Sequence, residues 1–418
     1  MRIMIVADMR SPHSIGWVQG LLKMGALPLV VSSRRLNPAE RSAIPISIRE
    51  LIIHEPSDLL SRARSLSTAS PGSLSLVRSL ARRGRTTNND SIAQQLSTPE
   101  GTGRIELPLE LRIARELGRK VLSLAHTHNP DLIHALRIPF EGISITSMAA
   151  TWPTAISIWG ADLARQASAS LRLAEATRKS LMNIRGLHAD CRRDIELAAK
   201  WGAPPTAVKI IAAGNMGYDV NVFNSGASLY RERDFVFCPR GPGSGINYAG
   251  FLRIADRITR THPRISFVAA RLSGVTIAED IRRRSAHPER IILTGNLSSQ
   301  EMADIYRRSI AVVSPSVNDG TPNSVLEGMS CGAVPLVGDI APLRELLQET
   351  MAGSLVDPLD EAEMEKQIIK VLDAPEEEWL QRSAEAQRIS TSGWSRGATF
   401  GRVEAWYEQL AVAGARTL

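Results

Sequence analysis

The sequence predicts an α/β protein of two Rossmann-like units, each a parallel sheet with helices, facing one another across a cleft. Three observations predict it. Arg2–Ala7 is a short apolar, β-branched run that leads through a turn and a helical stretch to a second apolar run. A second series of the same kind opens near Asp234 with a strand and a glycine-rich loop. The length, 418 residues, suits two or three domains.

The elements follow in order. Arg2–Ala7 reads as a buried strand and SPHSIG as a turn. Trp17–Met24 has helical spacing, with Trp17, Leu21 and Leu22 on one face and Gly25 as its stop. Leu27–Val31 is the next strand; Asp131–His134 and Thr154–Ile158 are later strands of the same sheet, with a helix over Gly142–Ala150 between them. Residues 60–105, rich in Ser, Arg, Gly, Thr and Asn, read as a long basic insertion. The junction falls near Asn215–Gly226. Beyond it come the strand FVFCP, the loop RGPGSGINYAG, a helix over Phe251–Thr261, and the strands ISFVAA, RIILTG and IAVVSPS, with a helix over Ser299–Arg308. The expected domains are 1–218, 219–394, and a closing helix, 395–418, that crosses back onto the first.

Composition narrows the class. Three scattered cysteines form neither a disulfide framework nor a metal-ligand spacing, which points to a reducing cytosol. The opening MRIMIVADMR is too short an apolar run for a signal peptide, and no run approaches the ~18 residues of a spanning helix. Net charge is +7, and 43 of the 50 basic residues are arginine. Six of these, Arg62, Arg64, Arg78, Arg82, Arg83 and Arg85, lie in Leu59–Asn89 without an acid. That stretch reads either as a solvated loop or as contact with an anionic membrane surface, where each basic residue contributes about 1 kcal/mol. Aromatics are not interleaved with it, which argues against nucleic acid.

The chemistry concentrates in NDGTPNSVLEGMSCGAVPLV, Asn318–Val337. A strand over Ala311–Ser316 ends at the loop NDG. Thr321 suits an N-cap, Pro322 the first helical position, and Gly332 the helix end. Asp319 and Gly320 then lie just before a helix start, and Glu327 about 7.5 Å along its axis at 1.5 Å per residue. Amides at a helix start favour anions. Carboxylates accept from hydroxyls. An anion with two sets of hydroxyls is what a nucleoside-diphosphate sugar presents, and the geometry permits one carboxylate for each sugar ring.

The stretch resembles the E-x7-E signature of retaining glycosyltransferases of the GT-B fold, family 4, here as Asp319-x7-Glu327 followed by EGMSCGAVP. Other pieces resemble the family in the same order. SPHSIGW resembles its first loop, DLIHALR a strand end, SIWGADL the H-G-x-D stretch, and IIAAGNMGYDVNVF the domain junction. CPRG resembles the start of its donor-phosphate loop, RIILTGNLSSQEMADIYRRS its following strand and helix, and WSRGATFGRVEAWYEQL its closing helix. The match omits about 40–125.

The resemblance implies roles. Asp319 would orient the donor sugar, Arg240 would hold the diphosphate, and His134 would lie near the reaction. Glu327 would bind the ribose. Gly320, Thr321, Pro322, Gly16 and Leu297 would line the donor site. His13, Trp17, Arg137, Glu141 and Asp162 would face the acceptor. The implied reaction is retaining transfer of a sugar from a UDP or GDP type donor to a glycan, lipid-linked or small-molecule hydroxyl. It would serve cell-surface polysaccharide or glycoconjugate synthesis, without metal or cofactor, in the cytoplasm or peripherally on the membrane's inner face.

The sequence departs from the family in two places. Gly245 stands where the donor loop has a lysine, and Leu136 where a second histidine stands. These departures motivate a second class of reading, a non-catalytic nucleotide-sugar binder; a nucleotide-sugar epimerase or phosphorylase of similar fold is the enzymatic alternative. The loop GPGSG lacks the G-x-G-x-x-G spacing and the later acid of a dinucleotide site. Two acids in one βα unit grip parts of one ligand more readily than they flank a glycosidic bond.

Overall fold

The computed structural model describes residues 1–55, 109–243 and 245–415. The basic insertion at 60–105, Arg62–Arg85 included, lies outside the described residues. The chain divides into two compact units. Unit 1 is Met1–His188, Asp194–Ile210 and Ala405–Leu418; unit 2 is Ala189–Arg193 and Ile211–Glu404.

Unit 1 carries a seven-stranded sheet. Its strands are β1 (Ile3–Ala7), β2 (Leu29–Ser32), β3 (Ile52–His54), β4 (Leu132–Leu136), β5 (Thr154–Ile158), β6 (Gly186–Ala189) and β7 (Val208–Ile211). Their order is β3-β2-β1-β4-β5-β6-β7. β1 pairs in parallel with β2 and β4, β2 with β3, and β4 with β5. β1, β4 and β5 are buried along their whole length, and apart from His134, Thr154 and Ser157 their residues are apolar.

Two expectations are corrected here. SPHSIG is not a turn: Ser11 precedes a helix over Pro12–Lys23, with Pro12 in the first turn, where its fixed φ and missing N–H cost nothing. The Gly142–Ala150 helix is replaced by two short irregular helical turns, Ile138–Gly142 and Thr146–Ala150. Pro139 (ψ 120°) and Phe140 (φ 74°) break the first of these turns, and Ile145, with ψ 2°, separates it from the second, which is a 3-10 turn.

A buried polar chain runs through the core of unit 1. Trp17 Nε1 lies 2.9 Å from Tyr407 Oη, which is 2.7 Å from His134 Nδ1. His134 Nε2 is 2.9 Å from Ser157 Oγ, and Ser157 Oγ is 2.9 Å from His188 Nδ1. An indole can only donate, so Tyr407 Oη accepts from Trp17. Along the rest of the chain each hydroxyl can donate or accept, and the tautomers of the two histidines set the direction together. Burial, aided by the neighbouring His188, holds the His134 pKa well below the usual value.

Unit 2 carries a six-stranded sheet of parallel pairs, ordered β10-β9-β8-β11-β12-β13. The strands are β8 (Phe235–Cys238), β9 (Ser266–Ala269), β10 (Ile291–Leu293), β11 (Ser309–Ser314), β12 (Val334–Gly338) and β13 (Ser354–Val356). Side chains alternate between two cores, as period two requires. Val236 and Cys238 face Phe251, Ile254 and Ile258, while Phe235 and Phe237 face Tyr306, Val325 and Met329. The order reverses between β8 and β11, so the crevice at their carboxyl ends is where a ligand is expected in an open α/β sheet.

Candidate functional site

The site in unit 2 is assembled from the chain segments leaving β8, β9 and β11. After β8 the chain enters the glycine-rich loop at Arg240. After β11 it runs through Val317–Thr321 into a helix over Asn323–Ser330. The two loops lie against each other: Val317 N donates to Gly245 O at 2.8 Å and Asn247 N to Pro315 O at 2.9 Å. Asn247 then caps the helix Tyr248–Thr259 by accepting from Gly250 N.

Arg240 and Asp319 meet across the switch point. Arg240 Nη2 donates to Asp319 Oδ2 at 2.6 Å, and Gly320 N donates to Asp319 Oδ1 at 3.0 Å. The guanidinium keeps further N–H groups for an anion, and each carboxylate oxygen keeps a lone pair for a hydroxyl. Arg193 Nη1 donates to the Asp319 carbonyl at 2.7 Å. A Cβ on Gly320 would lie 2.2 Å from Asp190 Oδ1, so a side chain there would displace the Asp190 carboxylate.

Thr321 corrects the expected cap. Pro322 is the N-cap residue, with φ −74° and ψ 119°, and the helix starts at Asn323. The Thr321 hydroxyl instead donates to Asp190 O at 2.6 Å and fastens the loop to the Ala189–Arg193 segment. The helix end falls where the sequence places it, at Gly332, whose φ is +86°. A Cβ there would sit 2.9 Å from Arg233 Nη2. Arg233 is buried and donates to the carbonyls of Tyr306, Ser309 and Cys331, closing two helix ends. Burial pushes its pKa down to about 10.

Glu327 lies on this helix, half-buried. The helix is held flush to the sheet: Gly328 sits against Tyr306 and Val312, and Tyr306 Oη donates to Ser324 O at 2.6 Å. The Glu327 carboxylate makes no hydrogen bond or ion pair among the described residues. Burial pushes its pKa up to about 8, with Arg271 pulling in the opposite direction. A part-buried carboxyl without a partner at a strand-end crevice is an expensive arrangement, and such arrangements concentrate at binding sites. Leu297 is half-buried against the core of unit 2. Of the expected donor residues, Arg240, Asp319, Gly320, Thr321, Pro322 and Glu327 share one loop-and-helix region of unit 2; Arg193 and Arg271 were missed. The signal for Arg271 was its position just past the strand ISFVAA.

Unit 1 rearranges the other expectations. His134 is solvent-inaccessible, and both its ring nitrogens are occupied within the core, so it is a structural histidine and not a catalytic one. Trp17 is likewise fully buried and spends its N–H on Tyr407. Gly16 lies inside the Pro12–Lys23 helix and not in a loop. Asp162 is fully buried and accepts from Arg137 Nε at 2.9 Å, Ile138 N at 3.2 Å and Trp159 N at 3.3 Å. It thereby holds the turn that begins at Arg137. Glu141 is buried and accepts from Ser33 Oγ. His13 is half-buried beside Trp159, ring centroids 5.1 Å apart, and Arg137 is half-exposed. These two remain accessible at the carboxyl ends of the unit 1 strands.

Comparison with known proteins agrees with this architecture. Residues 243–374 match the family described as glycosyl transferases group 1. Sucrose-phosphate synthase from Thermosynechococcus elongatus superposes with a TM-score of 0.68 at 12% identity, covering 99% of this chain and 100% of that one. HepE from Anabaena, solved with UDP and glucose, gives 0.65 at 13% identity over 98% and 100%. A trehalose 6-phosphate synthase from Burkholderia multivorans gives 0.67 at 13% identity over 99% of each chain. The fold is therefore GT-B, as the motif order implies. No curated protein matches the chain.

Proposed function

We propose that this protein is a glycosyltransferase that moves a sugar from a nucleoside-diphosphate sugar, of UDP or GDP type, to a hydroxyl acceptor. The observation that carries the reading is the unpartnered, half-buried Glu327 carboxyl on the helix that follows the Asp319 loop, with Asp319 paired to Arg240 at the switch point of unit 2. The family match over 243–374 and the UDP-bound neighbour support it.

In this reading Glu327 receives the ribose hydroxyls and Asp319 the hydroxyls of the donor sugar. Arg240, steered by Asp319, faces the diphosphate. As the glycosidic bond to phosphate breaks, negative charge grows on the leaving oxygen, and a fixed guanidinium stabilises that charge without reorganising. The acceptor proton passes to that same oxygen as the new bond forms on the same face, so the anomeric configuration is retained. Arg240 supplies the positive charge that a metal would otherwise bring. His13 and Arg137 are the accessible acceptor-side candidates. The acceptor class comprises glycans, lipid-linked sugars and small hydroxyl compounds. A cytoplasmic enzyme of cell-surface glycan synthesis, resting on an anionic membrane through Arg62–Arg85, fits this chemistry. No helix among the described residues is long and apolar enough to cross a membrane.

Turnover tests the reading. The intact chain incubated with UDP-, GDP- and ADP-sugars and a mixed hydroxyl acceptor pool should release nucleoside diphosphate from one donor. Binding of a nucleotide without release of diphosphate would move the protein to the class of non-catalytic binders. Conversion of the donor to another nucleotide sugar would mark an epimerase.

A further inference from the structure

Arg271 makes no hydrogen bond to the Arg240–Asp319 pair, yet its placement is specific. It follows β9, which pairs with β8 so that Ala269 is level with Cys238. The segments leaving the two strands, Ala270–Arg271 and Pro239–Gly241, therefore run side by side at the carboxyl end of the sheet. A Cβ built on Gly241 would lie 2.9 Å from Arg271 Cβ, 3.1 Å from its Cδ and 3.5 Å from its Cγ. The stem of Arg271 is thus laid along the backbone next to Arg240, and only glycine leaves room for it.

The backbone is committed to this direction. Arg271 has φ +60°, a left-handed conformation uncommon for a residue with a side chain. Its amide donates to Gly295 O at 3.3 Å. The side chain is exposed and makes no hydrogen bond or ion pair among the described residues. Its charge nevertheless acts on Glu327, the unpartnered acid of the site.

Charge balance gives the residue a task. Arg240 is already shared with the rim acid Asp319. A nucleoside diphosphate adds about two to three negative charges. Gly245, in the same loop, brings none of the opposite sign. A guanidinium suits phosphate oxygens through paired N–H donors.

We propose that Arg271 is the second cation of the nucleotide site, binding the diphosphate alongside Arg240 while Gly241 clears the path for its side chain. This rests on the donor-site reading given above. Arg271 is a binding residue for the diphosphate and not for the base.

The test is titration of the intact chain with UDP, GDP and ADP, and with uridine, guanosine and adenosine, for wild type, Arg271→Gly and Arg271→Lys. Glycine suits φ +60°, so Arg271→Gly removes the charge without straining the backbone. It should weaken the diphosphate that binds by at least tenfold, change the matching nucleoside less than threefold, and flatten the salt dependence of Kd. Arg271→Lys should recover most of the loss. Gly241→Ala should weaken diphosphate binding in wild type and add little in the Arg271→Gly background. Wild-type binding with a less than twofold effect of Arg271→Gly overturns the proposal and leaves the donor site standing. Equal losses for diphosphate and nucleoside also overturn it, since Arg271 would then read the base. If no diphosphate binds wild type, the donor-site reading fails and the proposal falls with it.

Discussion

Arg240→Ala is expected to lower the rate of sugar transfer by about two to three orders of magnitude, the usual effect of removing one fixed donor aimed at a developing oxyanion. Two things are lost together. The leaving diphosphate loses its guanidinium, and Asp319 loses the partner 2.6 Å away that sets its orientation toward the sugar. The fold should hardly notice. Both side chains keep part of their surface in water, 28% for Arg240 and 18% for Asp319. Ion pairs of that kind contribute about 0–1 kcal/mol to stability. The expected signature is therefore a large fall in kcat with a Tm within about 2 °C of wild type. Arg240→Lys, which keeps the charge but not the forked geometry, should recover only part of the rate. A variant that loses activity and Tm in parallel would make Arg240 a structural residue.

Glu327→Gln is expected to stabilise the protein increasingly as pH rises above about 4.5. The carboxyl stands near 8 in the folded chain against an ordinary 4.5. Between those values the folded state holds a proton that the unfolded state has released. Stability from this group is complete below the ordinary value and is lost as pH rises through the folded one. Glutamine is neutral throughout. The melting curves of wild type and Glu327→Gln should coincide near pH 4.5, separate as pH rises, and differ by a few degrees near pH 9. A gap of constant size across that range would mean that Glu327 titrates as an ordinary surface acid. The physical cause is the same one that marks the residue as functional. A helix packed on Tyr306 and Val312 holds a carboxyl away from water, with no hydrogen bond to offset the loss.

The strands and the site loop of unit 2 were legible because their signals are local. Strand runs such as FVFC and IAVV are apolar throughout, since both faces of a doubly wound sheet are covered. The spacing of Asp319 and Glu327 spans one loop and one helix, so both could be placed from the sequence. The N-cap was misplaced by one residue because Thr321 has a tertiary partner, the carbonyl of Asp190, 131 residues away. His134 and Trp17 were misread for a similar reason. What encloses them is Tyr407, whose hydroxyl joins both from 273 and 390 residues along the chain. Asp162 sits at a strand end where a ligand contact is expected, yet it folds back onto two backbone amides and Arg137. Arg271 was passed over because its value lies in a neighbouring glycine and a left-handed φ, and neither is visible as a motif.

The central claim is that Glu327 belongs to a nucleotide site on unit 2. Calorimetric titration of UDP, GDP and ADP into wild type and Glu327→Ala tests it most directly. The account predicts that one nucleotide binds wild type and that Glu327→Ala weakens it by more than tenfold, about 1.4 kcal/mol. Binding that is indifferent to Glu327→Ala, or no binding of any nucleotide to the intact chain, would contradict it.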